Sequence, residues 1–225
     1  MKSGMNREME NRREKRELEM FRNPGAGKLI TFCGLDGCGK TTQIRRLVRY
    51  LENRGLPVFL TRQPTDFVRE SEIFRNYMDT PEHGDFDYRA LSLLCASDRV
   101  QHSNRVIARK LEEGAVVISD RYFYSCLANL RARGYAQDAW IYEVARFIPK
   151  PDLAFFLDVD VETAVRRVRA RAEERDRYID IPLQHRLRAE YLAISAENDG
   201  ILFSTAAEDE EQCFRRIRSE VDRCV

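Results

Sequence analysis

The feature that most restricts the fold is an apolar run that ends in a glycine-rich turn and reopens as a helix. Leu29-Ile30-Thr31-Phe32-Cys33 leads into Gly34-Leu35-Asp36-Gly37-Cys38-Gly39-Lys40-Thr41, and amphipathic chain continues from Thr42 to Asn53. This satisfies GxxxxGK[ST] in the strand–loop–helix order that gives the pattern its meaning. Glycines let the backbone curl so that successive N–H groups point inward, and the positive end of the helix dipole completes an anion cradle. In such a loop Lys40 serves the β- and γ-phosphates of a nucleotide, and the Thr41 hydroxyl is placed to ligate Mg2+. The motif binds nucleotide but names no acceptor, since motors, GTPases, helicases and small-molecule kinases share it.

The rest of the chain agrees with that opening. Short apolar runs at Leu29–Cys33, Pro57–Leu60, Ala115–Ile118, Leu153–Leu157 and Ile201–Phe203 read as strands buried on both faces. Amphipathic stretches lie between them: Thr41–Asn53, Asp87–Glu112, Asp138–Phe147, Glu162–Glu174, Pro182–Asn198 and Glu208–Cys224. Alternation of this kind predicts a three-layer α/β P-loop NTPase fold, a five-stranded parallel sheet with helices on both faces and ligands at the carboxyl ends of the strands. A chain of 225 residues suits one such domain. It is expected over residues 27–225, after a charged, flexible N-terminal extension at 1–26 that has the alternative of a surface helix over Arg7–Arg22.

Bulk charge excludes other classes. The 38 Lys+Arg and 37 Asp+Glu leave a formal net charge of +1, so no global field for nucleic acid exists and any functional positive charge is local. No run reaches the ~20 apolar residues of a membrane span. Six cysteines without a CxxC pair, and only three histidines, give no zinc spacing; reduced thiols in a cytoplasmic protein are expected.

Arginines then decide the chemistry. A second anionic substrate needs guanidinium forks, because two phosphate-bearing molecules repel each other. Candidates follow the strands: Arg62 in Thr61-Arg62-Gln63-Pro64, Arg121 in Asp120-Arg121-Tyr122, and Arg99 on the long helix. Each taken alone is also a surface ion-pair residue. Asp120 stands at a strand end, where a carboxylate reaches Mg2+ or its waters, or caps the next helix. Arg166, Arg167, Arg169, Arg171, Arg175 and Arg177 crowd one segment. It reads as a lid neutralised by a triphosphate or, more blandly, as a solvated helix paired with Glu162, Glu173 and Glu174.

Together these pieces resemble the thymidylate kinase family. The resemblance rests on Phe32–Gln43, Thr61–Pro64, Leu93–His102, Ser119–Ser125, Lys150–Leu153, Phe156–Asp158 and the stretch ending Asp176-Arg177-Tyr178. It implies ATP as donor, Mg2+, phosphorylation of a nucleoside monophosphate such as dTMP, and a homodimer built on helices such as Asp87–Glu112. By the same resemblance Asp36 lies near the acceptor sugar, Arg99 and Arg121 hold the acceptor phosphate, and Asp120 organises the metal. Arg167 lies against the adenine, while Arg171 or Arg177 reaches the transferring group. Four positions depart from the family pattern: Gln63 replaces a Glu, Cys95 an aromatic that stacks on the base, Asn129 another base-side contact, and Ile179 a Glu. The competing readings are a related kinase with another monophosphate acceptor, and a nucleotide-binding module without transfer.

Overall fold

The computed structural model describes residues 16–23, 25–79 and 86–225. Five strands form one parallel sheet in the order β2-β3-β1-β4-β5. They are β1 (Lys28–Cys33), β2 (Val58–Arg62), β3 (Val116–Asp120), β4 (Leu153–Asp158) and β5 (Ile201–Ser204). The expected strands are all present, within a few residues at their ends. Leu29, Ile30, Phe32, Val117, Ile118 and Phe155 are completely buried, as strands covered on both faces must be. The register sets Phe32 opposite Asp120 on one side and Phe155 on the other, so the loop after β1 and the carboxylate ending β3 emerge side by side.

Ten α-helices surround the sheet among the described residues: α1 (Lys40–Asn53), α2 (Asp66–Arg69), α3 (Glu72–Asp79), α4 (Tyr88–His102), α5 (Ala108–Glu112), α6 (Phe123–Ala132), α7 (Trp140–Ala145), α8 (Val161–Arg169), α9 (Ile181–Glu197) and α10 (Glu210–Asp222). Local sequence sets their starts. Asp87, Asp160, Asp180 and Asp209 each accept a backbone N–H of the first turn, and Asp209 forms a capping box with Gln212. The expected helix over 87–112 is present as α4 and α5 joined by a π-turn at Ser103–Ile107. Helix α6 carries no amphipathic signal, because nine of its ten residues are buried. It packs between α4 and α9, where a polar face would have no water to meet.

The chain before the sheet is anchored, contrary to a flexible extension reaching residue 26. Leu18 is 2% exposed and its N–H donates to Asn198 Oδ1 at 2.9 Å. Phe21 makes a parallel bridge to Pro149, its N–H donating to Ile148 O and its carbonyl accepting from Lys150 N. Glu17 and Glu19 pair with Lys150 and Arg146, and Arg16 lies 3.9 Å above the Tyr142 ring. Leu18 fills a core position that charge-rich flanking sequence hid. Residues 1–15 and Pro24 lie outside the described residues.

Truncating Leu18 to Ala removes a fully buried side chain, which costs about 2–4 kcal/mol and lowers Tm by roughly 5–12 °C in a chain of this size. Thermal melts decide it: an unchanged Tm would mean that the arm does not contribute to the core.

Candidate functional site: a phosphate loop facing an arginine-lined cavity

The turn after β1 is built by backbone shape. Gly34 and Gly37 have φ of 136° and 82°, and a Cβ on either would lie 2.3 Å from Leu157 O or 2.2 Å from Ala164 O. The loop is thus pressed against β4 and α8, and only glycine permits the approach. Helix α1 starts at Gly39, whose left-handed backbone caps it without a side-chain acceptor, so its first N–H groups stay open to an anion. Lys40 is 6% exposed and its ammonium donates to Gly34 O and Leu35 O at 3.1 and 2.8 Å. Leu35 and Cys38 are themselves buried and contribute backbone, Cys38 O accepting from Thr205 Oγ1.

Two cavities open on either side of this loop. The first is lined by Gly37, Gly39, Thr42, Arg167, Arg171 and Thr205, among others. Arg167 spans it, donating to Gly37 O at 3.4 Å and to Thr205 O at 3.1 Å. Of the clustered arginines beyond β4, only Arg177 has an ion-pair partner among the described residues; it reaches Glu174 at 3.0 Å and Asp36 at 3.4 Å. Glu162 pairs with His185 instead. Of the three glutamates expected to pair with this cluster, Glu174 alone does so among the described residues.

The second cavity is lined by Arg69, Arg99, Arg121 and Arg133, with Cys95, Asn129 and an apolar wall that includes Phe74, Met78 and Leu91. Arg121 connects it to the loop. Its guanidinium donates to Gly34 O, to the Tyr191 hydroxyl at 2.9 Å and to Asp36. Burial alone would raise the Asp36 pKa, but the charges of Arg121, Lys40 and Arg177 overcome it and hold the carboxylate well below its ordinary range. Arg99 is 3% exposed and, among the described residues, hydrogen-bonds only to Cys95 O, with its Nε unpartnered. Asp120 ends β3 with a buried Oδ1 that has no hydrogen-bond partner among the described residues. That orphaned oxygen suits a cation held chiefly by phosphate oxygens and water; among the described residues no cluster of three or more His, Cys, Asp or Glu is placed to hold a metal alone.

Arg62, Gln63 and Tyr122, the strand-end neighbours expected to contact the acceptor, do not line this cavity. Arg62 points to the surface and pairs with Asp66. Gln63 is fully buried, donating to His102 Nδ1 at 3.1 Å and to Ser103 Oγ at 3.2 Å. Tyr122 is likewise fully buried, its hydroxyl donating to Pro149 O at 2.7 Å. A strand-end position put them near the site in sequence, but the alternation of strand side chains turned Arg62 outward and the following turn sank Gln63 beneath α4. Conversely, Arg69 and Arg133 line the cavity without having been expected there. Arg69 sits on a helix of four residues and Arg133 at a helix C-terminus, and neither setting has a periodic signal. Arg69 donates to Pro64 O, and burial together with the charges of Arg121 and Arg62 lowers its pKa to about 10, marking a concentration of uncompensated positive charge.

A phosphate loop whose first carbonyl and aspartate are held by an arginine of a second, cationic cavity defines a P-loop protein with an arginine-lined cavity beside its loop. Comparison with known proteins is specific. Residues 32–217 match the family model for thymidylate kinase. The chain is 38% identical over 193 residues to a probable thymidylate kinase of Thermococcus kodakarensis, covering 84% of this chain and 94% of that one. It is 39% identical over 176 residues to a probable thymidylate kinase of Pyrococcus abyssi (75% and 83%). A thymidylate kinase of Desulfotalea psychrophila is 37% identical over 156 residues (69% and 74%). The chain belongs to the thymidylate kinase family.

The Gln63 amide donating to Nδ1 leaves His102 Nε2 to donate to Thr61 Oγ1 at 3.0 Å. Burial depresses its pKa below 6.5, with Asp98 opposing and Arg99 assisting. A depressed histidine contributes stability that is complete above the unfolded pKa of ~6.5 and lost as pH falls through the folded value. His102→Gln should therefore flatten the decline of Tm between pH 7 and pH 5. A variant with the wild-type slope would show that His102 does not titrate with unfolding.

Proposed function

We propose that the protein transfers the γ-phosphoryl group of ATP, with Mg2+, to the phosphate of dTMP. The observation that carries this reading is the seat of Arg121: it lines the acceptor cavity while bonded to Gly34 and Asp36 of the phosphate loop. An acceptor phosphate gripped there stands beside the donor's terminal phosphate, and positioning of this kind is most of what phosphoryl transfer asks of a protein.

The loop amides and Lys40 take the donor phosphates, and Arg167 takes the adenine side of the first cavity. Thr41 and Asp120 would hold Mg2+, which when bound neutralises charge on the bridging phosphate oxygens. Arg69, Arg99 and Arg121 offset the repulsion that two polyanions meet on approach. Arg171 and Arg177 close over the transferring group from the segment after α8, excluding water. Asp36 keeps Arg121 and Arg177 aimed, and orients the acceptor sugar. Relatives named for thymidylate support the base we assign. Phe67 and Leu93 are 79% and 51% exposed on α2 and α4, and suit the homodimer that we also propose. Six free thiols accord with the reducing cytoplasm.

Release of ADP from Mg-ATP with a panel of nucleoside monophosphates tests the reaction, and no turnover with dTMP would reject it. Lys40→Ala should lower kcat by about 100-fold or more, the usual size for loss of a preorganised charge at the developing transition state. Arg69→Ala should raise the acceptor KM about 10- to 100-fold, as loss of a charged hydrogen bond does, with the KM for ATP unchanged. An equal rise in both constants would move Arg69 out of the acceptor site.

A further inference from the structure

The segment before β1 touches neither the phosphate loop nor the arginines, yet its contacts lead to both. Residues 16–22 precede the stretch 32–217 that matches the family model, so the family match assigns them no role. They run as a strap along α7, the segment 148–150 and the end of α9. Leu18 is 2% exposed, and the residues that the strap hydrogen-bonds, Asn198, Ile148 and Lys150, line neither cavity. Any effect of the strap on the chemistry therefore passes through intermediate residues.

One path runs through α9. Leu18 N–H donates to Asn198 Oδ1 at 2.9 Å, and Asn198 Nδ2 donates to Ile194 O at 2.8 Å, which ties the strap to the last turn of that helix. One turn earlier stands Tyr191, whose hydroxyl accepts from Arg121 Nη1 at 2.9 Å and donates to Ser125 Oγ at 3.0 Å. A second path reaches the backbone of the same arginine. Phe21 N–H donates to Ile148 O at 3.1 Å and Phe21 O accepts from Lys150 N–H at 2.6 Å, so both neighbours of Pro149 are held. Pro149 O accepts the Tyr122 hydroxyl at 2.7 Å, and Tyr122 directly follows Arg121. A third contact closes the frame. Arg16 lies 3.9 Å above the Tyr142 ring, whose hydroxyl accepts from Arg131, and Arg131 pairs with Glu197 at 2.8 Å to join α6 to α9.

The first two paths end on a residue that needs outside support. Arg121 has a φ of 67°, which a non-glycine residue keeps only where its surroundings over-determine it. We propose that residues 16–22 are a positioning strap for Arg121: by holding Pro149 and the end of α9, they fix the arginine that joins the phosphate loop to the arginine-lined cavity. The loop itself is held separately, because Gly34 and Gly37 press it directly against β4 and α8. Release of the strap therefore loosens the grip on the acceptor phosphate and leaves ATP in place. The inference rests on the reaction proposed above and adds the segment that positions its central arginine.

The test compares full-length wild type, Leu18→Asp, Leu18→Ala and Leu18→Met with Mg-ATP and dTMP, at a temperature where melts show each chain folded. An unpaired carboxylate cannot stay in the Leu18 slot, so Leu18→Asp expels the strap. Its kcat/KM for dTMP should fall about 10- to 100-fold, the size expected when a distant change misplaces a reacting group by about 1 Å. The KM for ATP should stay within about twofold. Leu18→Ala should fall between, and Leu18→Met, which keeps the apolar volume, should retain wild-type values. If Leu18→Asp does not fold, Leu18→Ala against Leu18→Met decides the question. A wild type inactive on dTMP would overturn the assigned reaction, and the strap with it. An active wild type whose folded strap variants keep its kcat/KM for dTMP would overturn the strap alone. So would an equal loss towards ATP and dTMP, which marks general loosening rather than positioning of Arg121.

Discussion

The position of Arg121 is the constraint on which the site depends. Its φ is 67°, a left-handed conformation that a branched-out side chain adopts only when its surroundings impose it. They do so from several directions. Its N–H donates to Phe32 O at 2.8 Å, its carbonyl accepts from Ser119 Oγ at 2.7 Å, and its guanidinium is gripped by Gly34 O, Tyr191 and Asp36. One residue thereby joins the ends of β1 and β3, the phosphate loop and α9. The phosphate loop and the arginine-lined cavity are registered to each other through that joint.

Arginine environments separate structure from chemistry in this molecule. Arg131 is buried against Glu197 at 2.8 Å, Glu190 at 3.8 Å and the Tyr142 hydroxyl at 2.5 Å. Buried charge needs such compensation, and Arg131 locks α6 to α9 with no surplus. Among the described residues Arg69, Arg99 and Arg133 have no carboxylate partner: they bond to neutral carbonyls or an amide, and Arg133 also stacks on the Tyr88 ring. A near-neutral chain has therefore collected unbalanced positive charge in one cavity. A field of that kind attracts anions, and low-dielectric walls strengthen it.

The buried polar network beneath α4 has a different purpose. Gln63, His102, Ser103 and Thr61 hydrogen-bond to one another where β2 meets the π-turn, with Gln63 Oε1 left without a partner among the described residues, and Thr65 binds Asp98 through both its N–H and its hydroxyl. These contacts fix the turn that carries Arg69 and the helix that carries Arg99. Gln63 thus supports the arginine-lined cavity from outside it, which is why a Gln can stand there without leaving a hole in the cavity wall.

Much of this was legible in the chain itself. The five strands, the phosphate loop and the aspartate-capped helices follow from short-range patterning: apolar runs that no water can reach, glycines at positive φ, and side-chain oxygens one turn from the N–H groups they satisfy. Two classes of feature were not legible. Helix α6 and the anchored Leu18 lacked any periodic contrast, because burial on every side, or a charged local context, erases the signal that patterning needs. The membership of the arginine-lined cavity was the other. Arg62 and Gln63 adjoin it in sequence and face away, while Arg69 and Arg133 reach it from a four-residue helix and from the far end of α6. Which guanidinium enters a cavity is decided by the packing of distant elements, and sequence spacing carries no record of that geometry.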